Sequence, residues 1–361
     1  MPAKKRKKAT KAEKPAAHSI SIHKNLSDSL ASFLEKEKLT GSETEEALAS
    51  LVGLLSSYSE EGQRLFPEVF VFDDVSNILQ TLPNSEHVVI GSGPKTSVTL
   101  GLALKRCAPL AQWGWSIYVL RAASEFEYGL LRCGLTALSL TAPDLLIEQG
   151  DKSLPALLIR HISQHTIEIS GACQNSIRIH FGALEQPGQD PLLVTRNFCT
   201  SLVEDVPAHL QEQVFNFYWG VFRSVLRGGH GCLAAALKSN KKTLPTQFKD
   251  GVAINPALDI AAKVESLLKR NDCESDIRLR ATAALIRGML STDGITVFRP
   301  DGTVRAYNVF VKNPQGPGGA PTLGGARRRA FEALCSWVGS DLDSAYFLSQ
   351  DGHAEYRGST R

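Results

Sequence analysis

Three consecutive arginines, Arg327, Arg328 and Arg329, follow Gly324 and Gly325 where a run of helical spacing begins. The free N–H groups and dipole of a helix start favour an anion. Guanidinium forks bind phosphate through paired hydrogen bonds. Earlier in the chain Asp293 stands beside Gly294, at a helix-to-strand junction where a carboxylate can hold a cation and a substrate can approach. Gly231-Cys232-Leu233 is a small-residue turn running into an apolar strand, and Ser349 precedes Gln350 and Asp351 at a strand end. Together these parts suit a triphosphate carried with a divalent cation. Each also has a plainer reading: the arginines as a solvated helix start, Asp293 as a turn cap.

The elements that must position these residues are legible in the pattern. A small-residue turn running into an apolar strand occupies 227–237, and helices cover 256–270 and 276–291. The second helix carries Ile277, Ala281, Ala284, Leu285 and Gly288 on one side. Strands Ile295–Phe298 and Val304–Val311 flank the turn Arg299-Pro300-Asp301-Gly302, as a hairpin. A Gly/Pro loop, 313–325, leads to the arginine helix, whose buried side holds Phe331, Leu334, Cys335 and Val338. Strand Ser344–Leu348 and a short strand at Tyr356 follow.

Upstream, 25–60 reads as a helical pair, with Leu26, Leu30, Phe33 and Leu34 at helical spacing and Ser42 and Glu45 as a capping box. The stretch 65–220 reads as an α/β module. Its strands are Val69–Phe72, Val88–Ile90, Trp115–Leu120, Ala156–Arg160, Thr166–Ser170 and Ile177–Phe181, and its helices Ser97–Ala108, Glu125–Cys133 and 205–225. Val88 to Ser97 tempts a phosphate-loop reading, but Pro94 occupies the place of the required glycine. A strand-to-helix turn fits better. His161, His165 and His180 are separated by strand-like sequence and read as surface or satisfied histidines.

Composition narrows the function classes. With 43% apolar and 21% charged residues, the 361-residue chain can bury more than one core. No apolar run reaches 18 residues, which argues against a membrane span. The net charge is +3, yet residues 1–14 alone carry +6, so the body is slightly acidic behind a basic tail. That tail, 1–20, reads as a disordered solubilising arm that could bind nucleic acid weakly. Seven scattered cysteines with no Cys-x-x-Cys pair indicate reduced thiols in a cytoplasmic protein and offer no zinc spacing.

The stretch 227–358 resembles a diadenylate cyclase domain. Gly231-Cys232-Leu233 is similar to the family's Gly-Ala-Leu turn, and Asp293-Gly294-Ile295 to its Asp-Gly-Ala motif. Gly325-Ala326-Arg327-Arg328-Arg329 is similar to its Gly-Thr-Arg-His-Arg motif, and Ser349-Gln350-Asp351 to its serine and acidic strand end. The departures are Ala326 for threonine, Arg328 for histidine and Gln350 for an acid. The resemblance implies an α/β fold, a mixed β-sheet flanked by helices, preceded by a second α/β sensor-like domain. The expected division is a tail 1–20, a helical lead-in 21–60, a sensor or regulatory domain 61–221 and a nucleotide domain 222–361. It implies synthesis of cyclic di-AMP from two ATP in a bacterial, cytoplasmic protein. Asp293 would be catalytic and would bind Mg2+ or Mn2+. Arg327, Arg328 and Arg329 would hold phosphates, Gly231 and Leu233 would border the adenine, and Gly294, Gly325 and Ser349 would complete the nucleotide site. A homodimer or larger homo-oligomer is implied, because one site cannot close the ring. The alternative is a catalytically degenerate regulator that binds ATP or a cyclic dinucleotide.

Overall fold

Alternation along the strands sets two cores in each half of the chain. In the first half Val69 and Val71 face one layer while Phe70 and Phe72 face the other; Ile117 and Val119 oppose Tyr118 in the same way. A period of two buried on both sides builds a sheet covered on both faces. The computed structural model describes residues 22–82, 84–112, 114–132, 138, 155–181, 190–228, 230–241, 243–312 and 325–359. The basic tail and the Gly/Pro loop up to residue 324 lie outside the described residues.

Helices α1 (Ile22–Lys36) and α2 (Ser42–Leu55) lead to a short hairpin, β1 (Ser59–Glu60) and β2 (Gln63–Arg64). Then come β3 (Val69–Phe72), α3 (Val75–Thr81), β4 (Glu86–Pro94), α4 (Ser97–Cys107), β5 (Trp115–Arg121), β6 (Glu125–Arg132), β7 (Ala156–Ser163), β8 (Thr166–Gly171) and β9 (Ser176–His180). The sheet order is β4-β6-β5-β3-β7-β8-β9, parallel only between β3 and β5. Helices α1, α2 and α4 cover one face, and α3 packs on the other.

The second half holds α5 (Pro191–Ser201), α6 (Gln211–Gly228), β10 (Cys232–Leu237), β11 (Phe248–Lys249), β12 (Val252–Asp259), α7 (Ile260–Arg270), α8 (Cys273–Leu290), β13 (Ile295–Phe298), β14 (Thr303–Val311), α9 (Ala326–Trp337), β15 (Leu342–Leu348) and β16 (Ala354–Gly358). Its sheet runs β11-β14-β13-β10-β15-β16, with β12 also on β14. Along β10, Cys232, Ala234 and Ala236 face the layer of α5 to α8, while Leu233, Ala235 and Leu237 face α9. Rings of Phe198, Phe222, Phe298 and Tyr346 pack together in the first of these layers, with centroids 5.2 to 6.2 Å apart. Such pairs add about 0.5–1.5 kcal/mol each beyond their burial. The chain is thus mixed α/β, with mixed sheets flanked by helices. No helix among the described residues is long and apolar enough to cross a membrane.

Several sequence expectations need correction. The stretch Glu125–Cys133, expected helical, is strand β6 through Arg132: Phe126, Tyr128 and Leu130 alternate into one core and Leu131 into the other. The helix expected over 256–270 begins only at Ile260, capped by Asp259, whose side chain accepts from Ala262 N at 2.9 Å; the residues before it are strand β12. Helix α8 turns the opposite face inward. Ile277 and Leu285 are 64% and 52% exposed, whereas Leu279, Ile286 and Met289 are buried, because the partner surface lies along α6 and α7. The expected capping box does not form: Gly41, not Ser42, is the N-cap and offers no side chain, although Glu45 Oε1 accepts from Gly41 N at 3.4 Å. The helix 205–225 starts at Gln211 and runs to Gly228, so the division drawn at 221/222 falls inside α6, which packs with the second sheet.

The helical pair is tied down by polar contacts. Buried Glu37 accepts from Cys173 N at 2.8 Å, Asn175 N at 3.1 Å and Asn175 Nδ2 at 2.7 Å. A Cβ on Gly171 would stand 2.0 Å from its carboxyl carbon, so that turn needs glycine. His161 is buried against the carbonyls of Leu55, 2.9 Å from Nε2, and Ser163, 3.3 Å from Nδ1. Burial holds its pKa below the usual 6.5, against the pull of those carbonyls, and the charges of Arg64 and Arg227 add to the lowering. The unfolded chain therefore takes up the proton first. This stability is complete above about pH 6.5 and is lost as pH falls through the folded-state value. The melting temperature is expected to fall as pH drops below about 6.5, and His161→Gln should flatten that dependence; an unchanged slope would mean that other groups set it.

Candidate functional site

Strand direction gathers the sequence-predicted residues. Because β10 and β13 are parallel, their N-terminal ends lie together, and β15, antiparallel to β10, brings its C-terminal end to the same edge. Gly231 precedes β10, Asp293 and Gly294 precede β13, and Ser349 follows β15. Helix α9 packs across β15 and β10 and delivers its N-terminus there. Its N-cap is Gly325, extended at φ −68° and ψ 173°, with no side-chain cap, so the first amides of the helix have no side-chain acceptor at the cap.

Arg327 Nη2 donates to Asp293 Oδ1 at 2.9 Å. The arginine side chain is 26% exposed and the aspartate 89% exposed, so the ion pair stands at the rim. A solvent-facing pair of this kind is worth little to stability, about 0–1 kcal/mol. Gly231 explains why the guanidinium can lie so close to the strand end. A Cβ there would stand 2.9 Å from Arg327 Nη1, 2.8 Å from Leu348 O and 3.2 Å from Gln350 N. Behind the arginine, the Cys232 thiol is pushed up to about 12 by burial, with Arg327 pulling the other way. It is an inert core thiol at neutral pH.

Gly294 plays a different part from the one its neighbourhood suggested. A Cβ there would meet Asn308 C at 2.4 Å and Asn308 Cα at 2.5 Å. The glycine makes room for the backbone of β14, which is irregular here, with Asn308 left-handed at φ 53°. The close approach is internal to the sheet. It fixes the direction in which Asp293 leaves the strand.

Ser349 belongs to the turn between β15 and β16. Its N donates to His353 O at 2.8 Å, and its Oγ accepts from His353 N at 3.0 Å. Arg328 leaves the edge: it pairs with Glu332 at 3.2 Å and with Glu355, and its guanidinium lies over Phe331 and Phe347. Glu355 also meets His353 Nε2 at 2.7 Å. Arg329 is half-buried, and its amide closes the first turn of α9 on Gly325 O at 3.2 Å. Leu233 is 2% exposed in the core beneath α9 and forms no part of the open surface. The edge thus brings together Gly231, Asp293, Gly294, Arg327 and Ser349, with Gly325 and Arg329 at the helix start behind them.

Asn308, His353 and Glu355 are the parts of this edge that sequence reasoning missed. A non-glycine residue at positive φ leaves no mark in the sequence beyond asparagine's tolerance for it. Among the described residues, no three His, Cys, Asp or Glu side chains gather as a metal cage. A cavity of about 400 Å³ lies elsewhere, in the first half, where Arg121, Asp73, Lys95 and Thr44 surround the start of α2. Comparison of the chain with protein-family models, with curated proteins and with solved structures finds no match in any of the three.

Proposed function

We propose that the edge formed by Asp293 and Arg327 binds ATP with Mg2+ or Mn2+, and that two copies of the chain join two ATP molecules into cyclic di-AMP. What carries this reading is the convergence of Gly231, Asp293, Arg327 and Ser349 on one sheet edge, from four separate places in the sequence. Asp293 fits a cation that arrives on its substrate. It offers one highly exposed carboxylate, and Mg2+ is commonly held by one or two carboxylates plus phosphate oxygens and water. When bound, the cation would neutralise triphosphate charge and lower the pKa of a coordinated hydroxyl.

The chain's own residues then have defined tasks. Arg327, released from Asp293, grips phosphate oxygens through its fork. The uncapped amides at the start of α9 face the same anion. Asp293 Oδ1, released in turn, is free to hold the cation and to orient the 3′-hydroxyl. In the overall reaction each 3′-hydroxyl loses its proton, which passes to the released pyrophosphate or to water, as its oxygen bonds to the α-phosphorus of the other ATP and the α-phosphorus–pyrophosphate bond breaks. Two facing sites are needed, so the working form is a homodimer or larger. The first half would be a regulatory domain.

A second reading, a nucleotide-binding regulator without turnover, draws on a specific observation. Arg328 stands where the resembled family has histidine, and it is held by Glu332 and Glu355 and turned from the edge. Titration of the full chain with ATP, with and without Mn2+, tests the shared core of both readings. A ligand at 100 times its Kd stabilises by about 2.7 kcal/mol, and the melt should rise accordingly. No shift at millimolar ATP would remove synthesis, and no shift with millimolar cyclic di-AMP either would remove both. The same titration separates the arginines: Arg328→Ala should change ATP affinity by no more than about twofold while costing roughly 0.5–1 kcal/mol of stability. A loss of affinity as large as that of Arg327→Ala would put Arg328 on the phosphates.

A further inference from the structure

The edge that carries Asp293 and Arg327 lies beside one of the places where the two halves of the chain touch; others are β7 against α5 and α6 and the pair Arg178–Asp190. Ser163 and Gln164 form the tip of the β7–β8 hairpin, and this tip abuts the turn Ser349–Gly352. Gly352 is left-handed at φ 85°, and a Cβ on it would stand 2.6 Å from Ser163 Cβ. With its amide oriented to satisfy both neighbours, Gln164 donates to Gln350 O at 2.6 Å and accepts from Arg64 Nη1 at 3.1 Å. Arg64 Nη2 in turn donates to Ser56 O at 2.6 Å, just past the end of α2. A second contact lies beside the first. Arg227 Nη1 donates to Glu68 Oε1 at 2.5 Å, with both side chains mostly buried, and Arg227 stands at the end of α6 only four residues before Gly231.

These two contacts reach the two backbone segments on which Arg327 rests. Gly231 and Gln350 N are neighbours, and Arg327 lies over Gly231. Moving either segment moves the floor of the guanidinium and so its distance to Asp293. We infer that the first half of the chain controls the shape of the candidate site through Gln164 on Gln350 and Glu68 on Arg227, and that Gln164 is a positioning residue for the Ser349–Gly352 turn. This rests on the nucleotide reading of the edge for its consequence, though not for its geometry. Arg64 makes the link directional: it joins Gln164 to the end of α2, the helix whose other end borders the cavity at Thr44 and Arg121. A change in how α2 sits would reach the turn through three hydrogen bonds: Arg64 on Ser56 O, Arg64 on Gln164, and Gln164 on Gln350 O.

The test uses the full chain with Gln164→Ala and Gln164→Glu. Alanine removes both hydrogen bonds of the side chain. Glutamate can still accept from Arg64 but cannot donate to Gln350 O. Hydrogen exchange of the Ser349, Gly352 and His353 amides should quicken by roughly three- to tenfold in both variants, the range expected for one lost hydrogen bond. The amides of Cys232–Leu237 serve as the internal reference and should not change. Unchanged exchange at the turn in both variants would overturn the proposal. So would a change with alanine alone, because the bond to Gln350 would then not be the one that matters. Should the alanine variant fail to fold, the glutamate variant decides.

ATP with Mg2+ supplies the second arm, measured as affinity. Both variants should bind about three- to tenfold more weakly than the wild type, with melting temperatures close to it, an outcome that a purely structural role for Gln164 would not give. If the wild type binds ATP and the variants bind it equally well, the turn does not serve the site and the proposal falls. If the wild type binds no ATP while the turn loosens as expected, the nucleotide reading fails and the contact from the first half to the turn stands.

Discussion

Replacing Arg327 by alanine is expected to weaken ATP binding by about 10- to 100-fold, the range given by losing a charge-assisted hydrogen bond of about 1.5–3 kcal/mol. Turnover should fall with it. Asp293→Asn should behave differently. Asp293 Oδ1 accepts from Arg327 Nη2 at 2.9 Å, so triphosphate must displace the carboxylate from the guanidinium. Asparagine keeps the shape and removes the competing charge. Metal-free ATP should therefore bind this variant at least as tightly as the wild type. The gain in affinity on adding Mn2+ should disappear, and cyclic di-AMP synthesis with it, by about 100-fold or more, as expected when a charge needed in the transition state is lost. Calorimetric titration with and without Mn2+ checks each arm. If Asp293→Asn instead weakened metal-free ATP as strongly as Arg327→Ala, the aspartate would be holding the arginine in place, not competing for it.

Gly294→Ala is expected to destabilise the second half by about 1–3 kcal/mol, the usual cost of forcing a methyl group into a packed site. The contacts are backbone atoms of Asn308, 2.4 and 2.5 Å from the added carbon, which cannot rotate away as a side-chain tip can. Relief requires β14 to move from β13, and Asp293 moves with the start of β13. Denaturant unfolding should show a lower midpoint, and ATP affinity should fall together with it. Asn308→Gly added to Gly294→Ala should recover part of the loss, since glycine occupies φ 53° without strain. A wild-type midpoint in Gly294→Ala would mean that β14 does not press on this residue.

Much of the second half was legible because its signals are local. Strand β10 is an unbroken apolar run after a glycine, and β13 and β14 flank a Pro-Asp-Gly turn. The convergence of Asp293 and Arg327 followed from placing both at element ends. Other features depend on partners far away in sequence. Phe126, Tyr128 and Leu130 alternate, but the run Gly129-Leu130-Leu131 also fits a helix, and only pairing with β4 and β5 decides. Ile277 and Leu285 share one side of α8 with Ala281 and Ala284 and yet face outward, because Leu279, Ile286 and Met289 meet α6 and α7. The direction of Arg328 is set by Glu355, a β16 residue that no spacing rule connects to it. Gln164 on Gln350 and Glu68 on Arg227 are contacts between halves, and nothing in the local sequence of either partner announces them.

The most direct measurement is to incubate the purified full chain with ATP and Mn2+ and resolve the nucleotides formed. One cyclic di-AMP and two pyrophosphates are expected for every two ATP consumed, with a rate that depends on protein concentration as dimers form and that falls about 100-fold or more in Asp293→Asn. Recovery of all the ATP unchanged, under conditions where it raises the melting temperature of the wild type, would contradict synthesis and leave a nucleotide-binding regulator in its place.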